Sequence, residues 1–247
     1  MFPIRDHNPS GRVPFVTYAL IALNVVIFLA NLPIQQDNAA LWQLYQSYAL
    51  IPAKLSMGEG YSGIITSMFL HGGWMHLFGN MLFLWIYGDN IEDELGPAKF
   101  LGFYLLAGIA AGLAQYITAP NSQVPMVGAS GAIAGVMGAY LLLFPKARVD
   151  ILIFLIVYVR VLPIPAFIVL AMWFAMQFFG GVGADPDQGG VAYWAYAGGF
   201  IAGFALIFPL WLAKGGPDFW ARTEGHPPHP EARYRMVESS IPKVRRK

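Results

Sequence analysis

The chain has 247 residues, of which 57% are hydrophobic and 12% charged, and a formal net charge of +1. Globular domains average about 45–50% apolar and about 25% charged residues, so this composition argues against an ordinary soluble fold. The near-zero charge gives no sign of nucleic-acid binding, and the absence of cysteine excludes disulfides, thiolate chemistry and Cys–metal sites.

The charges are unevenly placed. None occurs in 13–36, 60–88, 100–145, 161–184 or 188–213. A spanning helix takes roughly 20 apolar residues, so four of these stretches hold one span each. The stretch 100–145 holds two, divided at Ala119-Pro-Asn-Ser-Gln-Val-Pro125.

In chain order, 1–13 is a polar lead and the first span runs from about Pro14 to Leu32. It is too long, and followed by too many further spans, to be a signal peptide. The segment 33–63 carries Trp42, Tyr45, Tyr48, Leu50, Ile51 and Pro52, an aromatic and apolar density that suits the membrane interface. A second span covers about 73–91 and closes on Asp89, Glu92, Asp93 and Glu94; a third opens at Pro97 and reaches Ile117. The fourth begins only after Pro125 and ends by Pro145, with Gly128, Gly131, Gly135 and Gly138 along it. The apolar piece 151–159 is too short to cross and reads as interfacial. The fifth and sixth spans fall at about 163–180 and 192–212. The remainder, 214–247, is Pro-rich and basic and reads as a disordered tail.

The expected fold class is therefore an all-α polytopic membrane protein of six spanning helices, with membrane domain 14–213. With six spans, 14 of the 15 Lys and Arg residues fall on one side and only Lys54 on the other. The positive-inside rule places both termini in the cytoplasm, in an inner or plasma membrane.

Three polar features break the apolar background. His76 and Asn80 are four residues apart and share a helix face, with His71 just before that helix. Polar groups at bilayer depth are costly and point to function, although polar packing between helices is the plainer reading of each alone. Gly128-Ala-Ser130-Gly131 puts a serine where a helix starts, beside unpaired N–H groups that favour developing negative charge. The spacing Gly131-x-x-x-Gly135 also suits close helix packing. In the last span, Gly199-x-x-x-Gly203 offers a second close-approach face.

Together these features resemble the rhomboid family of intramembrane serine proteases. His71-x4-His76-x3-Asn80 is similar to the family's H-x4-H-x3-N, Gly128-Ala-Ser130-Gly131 to its G-x-S-G, and Gly199 and Gly203 to the glycines of its last helix. The acidic run Gly88–Gly96 is similar too. The resemblance implies a six-helix bundle with a water-filled cavity open to the outside, Ser130 as nucleophile, and an oxyanion hole of the Ser130 N–H with His76 and Asn80. It also implies a supporting role for His71, Gly128, Gly131, Gly199 and Gly203. Partners would be transmembrane protein substrates or clients and the lipid bilayer; no cofactor, metal or nucleic acid is implied.

One position departs from the family. Its last motif places a base histidine three residues before the first of the paired glycines, and here that residue is Tyr196. A free tyrosine has a pKa near 10, so roughly one in a thousand is ionised at pH 7. Loss of one member of a serine-protease triad costs about four to six powers of ten. The chain is thus expected to cut weakly or not at all, or to bind membrane-protein clients as an inactive pseudoprotease. A transporter or channel would predict inverted repeats and charges along a pathway, which the spans lack.

Overall fold

A computed structural model describes residues 2–155, 158–185 and 191–232. The chain is mostly helical. Its longer helices are α1 (Phe15–Ala30), α5 (Trp74–Leu95), α6 (Pro97–Thr118), α7 (Ser130–Leu143), α8 (Ala166–Gly183) and α9 (Tyr193–Ala213). Between α1 and α5 lie the shorter α2 (Asn38–Tyr48), α3 (Pro52–Ser56) and α4 (Gly63–Thr66). By length and composition, α6 and α9 suffice to cross a membrane, and α1, α7 and most of α8 form shorter apolar helices.

The sequence dictates most of the boundaries. Gly96 stops α5 at φ +75°, a left-handed conformation that glycine adopts without a Cβ penalty. Pro97 then opens α6 at a position where its missing N–H costs nothing. Asp37 caps α2, its carboxylate accepting from the N–H groups of Ala39 and Ala40. The start of α1 is capped from a distance: Glu92 near the end of α5 accepts from Val16 N–H at 2.9 Å, Thr17 N–H at 2.7 Å and the Thr17 hydroxyl at 2.8 Å. A buried carboxylate with three donors on it is well satisfied. The acidic run that closes the second apolar stretch therefore has a structural role.

At the centre stands α7, with every residue but Ser130 and Leu141 buried. It packs on α9 backbone to backbone. A Cβ added at Gly199 would run into the Gly131 carbonyl, one at Gly203 into Gly135, and one at Gly138 into the carbonyl of Phe200. The paired small-residue spacings are thus the contact itself, as expected of helices meeting without large side chains between them.

Two expectations are corrected. The protein is not all-α. A three-stranded antiparallel sheet, ordered β1–β2–β3, is built from β1 (Phe2–Asp6), β2 (Arg148–Leu155) and β3 (Tyr158–Pro165). β1 pairs with β2 from Phe2↔Leu152 to Asp6↔Val149, with a bulge between Pro3 and Arg5, and β2 pairs with β3 from Arg148↔Pro165 to Leu155↔Tyr158. The described residues of the run 151–159, read as interfacial, therefore lie in two paired strands. The run's β-branched residues favour strand, and the first strand, some 145 residues away, gives β2 a second partner.

Nor is the segment after 213 a free tail throughout. It continues as α10 (Pro217–Thr223), whose Trp220 indole N–H donates to the Leu142 carbonyl at 2.9 Å. Beyond it, the N–H of Lys146 donates to the Gly225 carbonyl and the N–H of Ala232 to the His7 carbonyl. Buried aromatics (Phe219 against the core, Trp211 on Trp220) and these backbone bonds overcome the polar composition. The basic stretch 233–247 lies outside the described residues.

Candidate active site

Ser130 is the first residue of α7. The residue before it, Ala129, has no side chain able to cap, and the first backbone bond of the helix runs from the Ile133 N–H to the Ala129 carbonyl. The N–H groups of the opening turn are therefore the open donors of a helix N-terminus. The approach to this turn is held at two points. The Gly128 N–H donates to the Ser67 carbonyl at 2.9 Å, and Leu50 and Met126 exchange backbone hydrogen bonds at 3.1 and 2.8 Å. The Ala53 N–H also donates to the Ser122 carbonyl. The aromatic segment 33–63 is thus tied directly to the loop that delivers the serine, a link with no local sequence signal.

His76 and Asn80 stand on one face of α5, opposite that turn. Gly128 has φ +124° and lies so close to the His76 ring that an added Cβ would sit 2.6 Å from His76 Nε2 and 3.6 Å from Ser130 Oγ. Only glycine satisfies both the backbone conformation and this approach. The Gly72 N–H reaches His76 Nδ1 at 3.4 Å. A backbone N–H only donates, so Nδ1 accepts and the ring proton of the neutral imidazole resides on Nε2, the nitrogen beside Gly128.

The Asn80 side chain donates to the His76 carbonyl at 2.9 Å. That acceptor fixes the orientation of the amide and leaves a second amide hydrogen. His71 lies behind, 3% exposed, its ring edge-on to that of His76 with centroids 5.1 Å apart. It backs the His76 ring and does not line the cavities.

Tyr196, one turn into α9, lines the same space as Ser130 at the head of α7. Trp173 of α8 stacks on the Tyr196 ring at 5.9 Å and 24°. Two cavities meet at this point. The larger, about 550 Å³, is lined by Ser130, His76, Gly128, Gly131 and Tyr196 and runs out past Gln115 and Trp194. The smaller, about 200 Å³, lies between α5 and α8 and has Ser130, His76, Asn80, Trp173 and Tyr196 in its wall. The structure thus gathers Ser130, His76, Asn80, Gly128, Gly131 and Tyr196 around one space. Gly199 lies one turn and Gly203 two turns deeper, at the α7–α9 contact. Among the described residues no group of three or more His, Cys, Asp or Glu side chains could hold a metal ion.

Residues 58–213 match the family model described as the Rhomboid domain. The chain is 29% identical over 212 residues to "Rhomboid protein 1, mitochondrial" of Saccharomyces cerevisiae, covering 81% of this chain and 54% of that protein. It is 30% identical over 203 residues to "Rhomboid protease GluP" of Bacillus subtilis, covering 82% of this chain and 36% of that protein. Over 130 residues it is 37% identical to "Putative rhomboid protease YdcA" of the same organism, covering 52% and 61%. The chain spans about half or less of the length of the first two relatives. The matched region holds Ser130, His76, Asn80 and Tyr196, and with it this chain belongs to the rhomboid family of integral membrane proteins.

Proposed function

We propose that this chain is a rhomboid-type intramembrane serine protease scaffold whose hydrolysis is weak or absent because a phenol stands where the general base belongs. In this reading the six longer helices span the bilayer, within a membrane domain of about 14–213. Both termini lie in the cytoplasm of a cell whose inner or plasma membrane holds the protein. A transmembrane segment of another protein unwinds into the larger cavity and offers a carbonyl carbon to Ser130 Oγ.

The negative charge that forms on the carbonyl oxygen meets the N–H of Ser130, the Nε2–H of His76 and the free amide hydrogen of Asn80. Donors set in advance for a developing oxyanion are worth about 3–4 kcal/mol each in soluble enzymes. That half of the machinery is complete, and the contact from Gly72 keeps the His76 proton on the nitrogen that needs it.

Proton removal is the deficient half. As Ser130 attacks, its proton must pass to an acceptor of suitable basicity. The side chain that shares both cavities with Ser130 from the base position is Tyr196, and a neutral phenol is a far weaker acceptor than an imidazole. The placement of Tyr196 with Ser130 in the walls of both cavities is the observation that carries the proposal. It also favours a second reading, in which the cavity holds membrane-protein clients without cutting them.

A serine-reactive fluorophosphonate probe separates the cases. The chain should label barely above Ser130→Ala, and Tyr196→His should label at least a hundredfold faster, within the range ascribed to a positioned base. Rapid Ser130-dependent labelling of the unmodified chain would overturn the proposal.

A further inference from the structure

We propose that Asp6, Asn8, Asp89 and Asn90 bind a hard divalent cation, Mg²⁺ or Ca²⁺, where the start of the chain meets the acidic end of α5 and the end of α7 far from Ser130. The observation is a group of buried polar atoms with nothing to bind. Asn8 is 1% exposed, and neither its amide oxygen nor its amide nitrogen has a hydrogen-bond partner. Asn90 is 3% exposed with an unpartnered amide oxygen, and the fully buried Tyr87 hydroxyl is unpartnered too. Buried polar atoms are nearly always satisfied, so a cluster left over calls for an ion or ordered water.

These atoms lie together. The Asn90 side-chain N–H donates to the Asn8 carbonyl, which fixes residue 8 against α5. The Tyr140 hydroxyl of α7 donates to Asp6 Oδ2 at 2.7 Å, and its ring stands edge-on to that of Tyr87 with centroids 5.0 Å apart. The Asn8 amide is next to the same hydroxyl, short of hydrogen-bond geometry. Asp89 accepts the Asn90 N–H on Oδ1 at 2.8 Å and has the Ser10 hydroxyl beside it. It is close enough to Asp6 for the two carboxylates to repel.

Charge decides between water and an ion. Further along the same acidic run, Asp93 has Arg12 Nε at 3.7 Å and Glu94 has Lys214 Nζ at 2.6 Å. Among the described residues, Asp6 and Asp89 form no ion pair with any Lys, Arg or His. Buried charges are paired or coordinate metals. A water molecule would satisfy the amides and leave the carboxylates opposed, whereas a divalent cation offsets both. Carboxylate and amide oxygens are also the donors that hard cations take, with water completing the shell. With its oxygen on the ion, the Asn8 amide keeps its nitrogen to donate to the Tyr140 hydroxyl.

The site is separate from the cavities at Ser130. Tyr140 lies ten residues further along α7, about 15 Å at the rise of a helix. A bound ion would join the first residues of the chain to α5 and to the helix that Ser130 heads.

Terbium luminescence tests this on the full chain in a non-ionic detergent. Tb³⁺ replaces hard cations at oxygen sites and emits when a neighbouring tyrosine is excited, and Tyr87 and Tyr140 stand at this one. The unmodified chain should show saturable emission that millimolar Ca²⁺, Mg²⁺ or both displace, and the two competitors tell which ion the site prefers. Asp6→Asn, Asp89→Asn and Asn8→Ala should each weaken Tb³⁺ binding at least tenfold, while Glu59→Gln, a distant exposed carboxylate, should leave it unchanged. Circular dichroism reports that each variant is folded, and any one folded variant of the three suffices for the comparison. Emission that does not saturate, or that neither ion displaces, would overturn the proposal and leave water as the occupant. So would unchanged affinity in the folded variants, or an equal loss in Glu59→Gln.

Discussion

α7 and α8 are both apolar helices of the bundle, and they are built in opposite ways. α7 is buried along nearly its whole length and is pressed against α9 through glycines, with no side chain between the backbones. Among the described residues of α8, Ala166, Leu170 and Gly181 are buried, while Met172, Met176, Phe179 and Val182 are more than half exposed. It is joined to the bundle by ring contacts: Trp173 on Tyr196, Phe174 on Phe200 and Phe178 on Trp194. The lesson is a division of labour. Ser130 heads the most deeply buried of the long helices, and Tyr196 lies on the helix locked to it. The neighbouring wall of the site, α8, is far more open than α7.

The contrast can be broken at the glycines. In Gly203→Val the added side chain has no space short of separating α7 from α9, and overpacking a closed interface costs about 3 kcal/mol or more. The expected result is loss of the folded protein in a detergent unfolding assay, together with loss of Ser130 labelling in a Tyr196→His background.

Next in size is the remote cap. Glu92→Gln leaves one carbonyl oxygen for three donors and removes the charge at the start of α1. A buried donor left without a partner costs about 1–3 kcal/mol. Denaturant unfolding should show that loss while the corrected labelling rate stays unchanged.

A smaller effect is expected at the sheet. Because the folded state holds the Asp150 carboxyl below its ordinary value, its contribution to stability is fully present above the unfolded pKa of about 3.9. It is lost as pH falls through the folded value. The melting temperature should therefore drop in acid below about pH 4, and Asp150→Asn should flatten that drop.

The smallest effect belongs to α8. Met176→Ala, on its open face, should change stability by less than about 0.5 kcal/mol. A loss as large as that of the glycine variant would remove the distinction between the two helices.

Much of this was legible in the sequence because its signals are local. Charge-free stretches, Pro97 after Gly96, and the paired glycines each mark a boundary or a face within a few residues of themselves. Ser130 at the head of a helix, His76 and Asn80 at four-residue spacing, and Tyr196 ahead of Gly199 follow from the same short-range logic. What escaped depends on partners far along the chain. β1 pairs with a strand some 145 residues away, Glu92 caps a helix 75 residues earlier, Leu50 bridges to Met126, and His7 holds Ala232. Nothing in the residues 1–13 or 214–232 considered alone announces that they meet. The proton on His76 Nε2 is also a structural finding, since it rests on the contact of a backbone N–H with the other nitrogen.

Cleavage of a reporter transmembrane segment reconstituted with the chain in vesicles tests the account's central claim most directly. We expect no more than trace cleavage by the unmodified chain and a clear gain, abolished by Ser130→Ala, when Tyr196 is replaced by His. Efficient Ser130-dependent cleavage with Tyr196 in place, or no gain from the replacement in a folded protein, would contradict it.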